Sequence, residues 1–196
     1  MDETGYIQFD NRSIKGPPPE ATLISELNYW RTRCFDEGLI GVDLNGTGFG
    51  NVSVRIRGTS RFVISGTQTG ALRTLSARHY TKVVDTCIDD NRVVSVGPIS
   101  ASSEALTHAA VYRACGRVGA VIHVHSKILW DRLVDIVPTT NRTAAAGTTA
   151  MAREIERLVS SMRGRSNIIV MGGHKEGLIA FGAGPAAAAE ALFATG

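Results

Sequence analysis

The stretch Ala120-Val121-Ile122-His123-Val124-His125 constrains this chain more than any other part of it. A short apolar run holding two histidines one residue apart fits a buried β-strand, in which residues i and i+2 share a face. His123 and His125 then project side by side, with Val121, Ile122 and Val124 as apolar backing. Two imidazoles so placed suit one divalent ion at the usual zinc–nitrogen distance of about 2.0–2.1 Å. Alone, the pair fits equally well two partly buried histidines satisfied by hydrogen bonds.

Two further residues change that balance. His174, in "MGGHKEGLIAFG", follows an apolar run and lies among glycines, where backbone can come close to a site. Glu104, in "SASSEAL", falls at the first turn of an expected helix, a position the helix dipole favours for a carboxylate. Taken singly, these are a turn histidine and a helix-start acid. Together, three histidines leave positions open on a metal, as a Lewis-acid catalyst requires and a structural site does not. Glu104 then serves as base, or as a fourth ligand without substrate. Three loops offer groups to an anion: "GFGNVS" with Asn51, "SGTQTG" with Thr67, Thr69 and Gly70, and "SASSE" with Ser102 and Ser103. The last lies at a helix N-terminus, where free N–H groups favour phosphate. Each is also ordinary turn chemistry.

The surrounding pattern predicts one domain. Residues 1–19, ending in "GPPP", read as a loose N-terminal arm, and residues 20–196 as the domain. Leu23, Leu27, Trp30 and Cys34 recur at helical spacing up to Gly38, and Val52, Val54 and Ile56 alternate as in a strand. "RGTS" predicts a hairpin turn to "RFVIS". "LSARHYTKVVDTCIDD" predicts a helix with Tyr80, Val83, Val84 and Cys87 on one face and Ser76 as N-cap. "RVVSVG", "NIIVM" and "LIAFG" read as strands. "SSEALTHAAVYRAC", "TTAMAREIERLVSSM" and "PAAAAEALFA" read as helices, the last opened by Pro185. Strand pairs on short turns point to an α/β domain whose sheet is largely antiparallel or mixed, with helices packed on it.

Composition narrows the partners. With 43% hydrophobic and 20% charged residues the chain is of ordinary globular type. Its 21 basic and 18 acidic residues are interspersed, which argues against nucleic acid and suits an anionic small molecule. The small basic cluster "MRGRS" reads as a solvated helix end. Three cysteines, far apart, argue against a disulfide framework and for a reducing compartment. With no signal-like apolar core and no apolar run of about 18 residues, a cytoplasmic protein without a membrane segment is expected.

The ordered motifs "GNVSVR", "FVISGTQTG", "SSEALTHAAVYRA", "AVIHVHS" and "GGHKEGLIAFG" resemble the class II aldolase/adducin family, from about Glu20 to the C-terminus. The resemblance implies a single three-layer α/β/α domain around a mostly antiparallel sheet, assembled as a homo-oligomer, a tetramer above all, with sites at subunit interfaces. It implies zinc on His123, His125 and His174, with manganese, cobalt or iron(II) as substitutes. It makes Glu104 the acid/base, and Asn51, Thr69, Gly70, Ser102 and Ser103 the phosphate cradle. The implied activity is a zinc-dependent lyase (aldolase) cleaving a small phosphorylated hydroxy-carbonyl or sugar through a metal-stabilised enediolate. Sugar-phosphate epimerases, dehydratases and a non-catalytic adducin branch belong to the same family and stand as alternatives.

The chain departs from the family pattern in places. "ISGTQTG" is two residues longer than the family's Ile-Ser-Pro-Thr-Gly-like turn, Lys175 replaces a common glycine, and no tyrosine follows Tyr112. "TTNRTAAAGTTAM" carries no acidic residue. Among other residues, His108 stands one helical turn after Glu104, where it either orients that carboxylate or packs in the core. His79 is expected on an exposed helix face. Trp30 and Trp130 read as core or interface residues. Arg73 and Arg142 are candidates to meet substrate phosphate from a neighbouring subunit.

Overall fold

The computed structural model describes residues 10–162 and 166–195, so Arg163, Gly164 and Arg165 of the basic cluster lie outside the described residues. The chain runs β1 (Asp10–Lys15), α1 (Ala21–Asp36), β2 (Gly41–Val42), β3 (Gly48–Phe49), β4 (Asn51–Arg55), β5 (Phe62–Ser65) and β6 (Tyr80–Cys87). It continues through β7 (Arg92–Gly97), α2 (Ala105–Ala114), β8 (Ala120–His125), α3 (Lys127–Leu133), α4 (Thr149–Met162), β9 (Ile168–Val170), β10 (Gly177–Gly182) and α5 (Pro185–Phe193). Eight of these strands form one sheet in the order β1-β7-β6-β5-β4-β8-β10-β9, and β2 pairs with β3 in a separate ribbon. Neighbours are antiparallel except β1 with β7.

Strand β8 shows why three layers form. Val121 joins one apolar cluster with Ile179, Phe181 and the buried faces of α2 and α4. Ile122 and Val124 join the other, with Leu178, Ala180 and the inner faces of α1 and α5. A strand buried on both faces reads as a continuous apolar run, and each large side chain so buried contributes about 1.5–3 kcal/mol. By the period of two, His123 and His125 fall on the α2/α4 face with Val121. Helix α4 supports that face through Met151, Ile155, Leu158 and Met162, spaced at three and four residues. Ile155 is fully buried in the cluster that includes α2. Ile155→Ala is expected to cost about 2–5 kcal/mol, read as a lowered urea midpoint at unchanged slope.

Two segments differ from expectation. The segment expected as a helix over residues 76–90 is a one-turn 3-10 helix at Ala77–His79 followed by strand β6. Tyr80 packs in the cluster beneath α1 and α5 while Val83 packs in the opposite one, which a single helix face cannot do. A β-bulge between Val83 and Asp85 shifts the register and produces the helix-like spacing. The β-branched Thr81, Val83, Val84 and Thr86 favour a strand. Ser76 does cap a turn: its hydroxyl and the His79 ring make a reciprocal capping box. His79 is thereby engaged and half-buried. Within the loose arm, Asp10–Lys15 is β1, the parallel edge partner of β7. Its side chains are mostly exposed, so only main-chain pairing places it.

Candidate metal centre

The site is assembled at the end of β8. Antiparallel pairing sets Asn51 of β4 opposite His123, and Gly177 of β10 opposite His125. The tight turn from β9 into β10 carries His174 back over the strand end; Met171 and His174 carbonyls accept from the N–H groups of His174 and Gly177. Gly177 is needed there, because a Cβ would stand 2.6 Å from His174 Cδ2.

The ligand atoms of His123, His125 and His174 lie within 4.8 Å of one another. His125 Nε2 and His174 Nε2 are 2.9 Å apart. His123 Nδ1 lies 3.1 Å from the Leu178 carbonyl, which can only accept, so that nitrogen carries the proton. His123 Nε2 is left with a lone pair, the usual arrangement by which a backbone carbonyl fixes the tautomer of a metal ligand. Desolvation, aided by the charge of neighbouring His174, lowers His123 to about 3; burial lowers His174 to about 4. Burial, then His123 and His174, lowers His125 well below the usual imidazole value. All three rings are therefore neutral at pH 7. In the metal-free protein one of the facing His125 and His174 Nε2 atoms donates to the other, and three neutral imidazoles whose ring nitrogens converge form a donor set that fits a divalent cation. The Phe49 ring stacks on His125 with centroids 5.2 Å apart.

Glu104 stands at the N-cap position of α2, where its side chain makes no capping hydrogen bond to the helix N–H groups, and is 4% exposed. Its carboxylate accepts from the Thr107 hydroxyl at 2.5 Å and from the Gly147 N–H. Burial raises its pKa to about 7 against the opposing pull of those two donors. A carboxyl group that ionises near neutrality, in the same cleft as the three histidines, is suited to moving a proton.

The cleft is lined by Glu104, His123, His125 and His174 together with Asn51, Gly70, Ser102 and Ser103. Of the residues singled out in the sequence, Thr69 is turned elsewhere: its hydroxyl donates to Gly66 O at 2.8 Å. Thr67 and Gln68 border the cleft in its place. The buried Asn51 Oδ1 has no partner among the described residues, as expected of a group facing a ligand. His108 does not reach Glu104 by any hydrogen bond among the described residues. Its Nδ1 lies 2.7 Å from Ser53 Oγ, which lies 2.7 Å from the Tyr112 hydroxyl, and all three residues are buried. Arg73 and Arg142 are held in exposed ion pairs with Asp36 and Asp135. Trp130 packs at the edge of the core and donates to Met171 O. Sequence reasoning missed Phe49, Thr107 and Gly147, whose roles depend on loop closure and leave no periodic trace. Gly173 shows that closure: a Cβ there would stand 2.0 Å from Ala144 O, so the His174 turn packs directly on the loop that leads to Gly147.

The family model for the Class II Aldolase and Adducin N-terminal domain matches residues 39–195. The chain belongs to the class II aldolase and adducin family. Class II aldolases typically depend on a divalent metal, and the three histidines provide a place for one. Among solved structures, L-fuculose-1-phosphate aldolase from Thermus thermophilus is similar at 20% identity and TM-score 0.58, over 90% of this chain and 87% of that one. A sugar-phosphate aldolase from Thermotoga maritima is similar at 15% identity and TM-score 0.62, over 89% and 90%. YgbL from Escherichia coli, whose chemistry is given only as aldolase, epimerase or decarboxylase, is similar at 18% identity and TM-score 0.65, over 88% and 84%. No curated protein matches the sequence. At these identities the likeness is one of fold: the class II aldolase architecture, with its mostly antiparallel sheet between helices. Among the described residues, no helix is long and apolar enough to cross a membrane.

Proposed function

We propose that this class II aldolase family member is a zinc-dependent lyase that cleaves a small, phosphorylated hydroxy-carbonyl compound. The observation that carries the reading is one cleft holding both a neutral three-histidine donor set and a buried carboxyl group with a pKa of about 7. An ion bound by His123, His125 and His174 supplies Lewis-acid polarisation of a substrate carbonyl. Glu104 moves the proton at the carbon beside that carbonyl, its carboxylate held by the Thr107 hydroxyl and the Gly147 N–H. Asn51, Thr67, Gly70, Ser102 and Ser103 receive the phosphate, the two serines lying just before the start of α2. Imidazole donors suit zinc, and manganese, cobalt or iron(II) can occupy the same set.

The reading extends to setting. Three free cysteines support a reducing, cytoplasmic location. Exposed Leu44 and Ile128 support burial against other copies in a homotetramer. Epimerisation and dehydration of a sugar phosphate use the same metal, and the absence of any tyrosine after Tyr112 keeps them as the second reading. An adducin-like assembly role without chemistry is disfavoured by the intact triad and Glu104.

The deciding experiment incubates the purified, zinc-loaded protein with a panel of phosphorylated ketoses and aldonates, scored for cleavage products, isomers and loss of water. Cleavage that stops on chelation and returns with zinc is expected. Isomers or dehydrated product without cleavage would replace the lyase reading with one of its alternatives.

A further inference from the structure

A buried cation stands behind the loop that follows β5. Arg31 lies on the inner stripe of α1 with Ile24, Leu27 and Cys34, and is 1% exposed. Its guanidinium donates to the carbonyls of Leu72, of Arg73 at 2.8 Å, of Thr69 at 3.0 Å and of Gly70 at 3.4 Å. Among the described residues, none of its hydrogen-bond partners is a carboxylate. Taking a charge out of water without a counter-charge is costly, and a neutral donor would tie the same carbonyls with less penalty.

The other side of this loop borders the cleft through Thr67, Gln68 and Gly70. Gln68 sits at φ 58, a left-handed conformation that a residue with a side chain rarely adopts. A Cβ on Gly70 would stand 2.1 Å from Gly41 O, so the loop is pressed against the β2–β3 ribbon. With the Thr69 and Gly70 carbonyls turned to Arg31, planar trans peptides turn the N–H groups of Gly70 and Ala71 away from it. Among the described residues, the N–H groups of Gln68, Thr69, Gly70 and Ala71 donate to no oxygen. Consecutive free N–H groups around a left-handed residue form an anion-binding nest. No lysine or arginine lines the cleft among the described residues.

We infer that Arg31 is a positioning residue for anion binding: it holds residues 67–71 with carbonyls inward and N–H groups free, and its buried charge is balanced across the loop by the substrate's phosphate. The inference rests on the reading of this loop as part of the phosphate cradle. It adds a cation that touches no substrate and does not line the cleft.

The test compares full-length wild type with Arg31→Lys and Arg31→Gln, using inorganic phosphate as probe and its saturable effect on the melting temperature as readout, with and without bound zinc. Zinc content per chain is measured for each. Phosphate binding about tenfold weaker in the Lys variant and weaker again in the Gln variant is expected, with zinc content unchanged. With a substrate in hand, the same order appears in KM, with kcat nearly constant. Wild-type phosphate affinity in the Lys variant overturns the positioning of the loop by the guanidinium, and equal affinities in the Lys and Gln variants overturn the role of the buried charge; either result leaves the cradle intact. A wild type that phosphate does not stabilise overturns the cradle reading and this inference together, and zinc content still tests the metal centre. If the Gln variant does not fold, the Lys variant alone decides whether the guanidinium positions the loop.

Discussion

His123→Ala yields a folded protein that carries no zinc after zinc supplementation and dialysis, and that turns over no substrate. The ring lost is 1% exposed, on an interior strand of the sheet, and is the candidate ligand whose tautomer the Leu178 carbonyl fixes. Two imidazoles remain on different segments, His125 at the strand end and His174 on the turn. Mutating groups that merely orient a ligand typically costs 10–100-fold in metal affinity, so losing a ligand of three costs more, about a thousandfold or beyond. The stability cost is smaller, about 1–3 kcal/mol for the hydrogen bond and the small cavity. Elemental analysis alongside circular dichroism separates the two effects. Zinc at one ion per chain in the variant would sink the three-histidine centre.

Glu104→Gln is expected to keep its zinc and lose turnover by about 10²–10⁴-fold, the usual contribution of a positioned acid or base. The amide matches the carboxyl in size and still accepts from Thr107, so loss of packing does not explain the result. The carboxyl ionises at about 7 without a metal, and a bound cation lowers that value, so the wild-type rate is expected to rise with pH up to a plateau reached below about 7, and the residual rate of the variant to be flat. Stability moves the opposite way in the metal-free protein. The folded pKa of about 7 lies above the ordinary value of 4.5, so the folded state holds this proton more tightly than the unfolded chain. That advantage is complete below about pH 4.5 and is lost as pH rises through 7, up to about 3 kcal/mol in all. Urea denaturation of chelated wild type and variant at pH 5 and pH 8 measures it: the variant gains on the wild type at the higher pH. A parallel response of the two proteins would show that Glu104 is not buried in its neutral form.

The sequence reveals residues that repeat or cluster, and hides those that act through closure. His123 and His125 are legible because a strand has a period of two and β8 is apolar on both faces. Helix α4 is legible because its buried positions keep helical spacing over 14 residues. Strand β6 is not, since its bulge lends it the spacing of a helix, and only the β-branched Thr81, Val83, Val84 and Thr86 argue otherwise. Strand β1 is polar and is placed by main-chain hydrogen bonds, which carry no side-chain signature. In the site, Thr67 and Thr69 have equal claims by composition, and only the folded loop shows that Thr67 borders the cleft while the Thr69 hydroxyl bonds to Gly66 O. Arg31 did leave a mark: it is the one charge on the stripe Ile24, Leu27, Arg31, Cys34, where an apolar residue fits the pattern.

Strand β8 is hydrogen-bonded along both edges, to β4 and β10, and covered on both faces. Strands so enclosed exchange their amide hydrogens last, through openings close to global unfolding. Two of the three candidate ligands thus ride on the segment that opens least, while His174 comes from the turn between β9 and β10. An ion held there would be expected to leave by way of His174, with the sheet intact. On that reading the metal-free protein would keep its fold and could take up an ion again, unlike small domains that exist only around their metal.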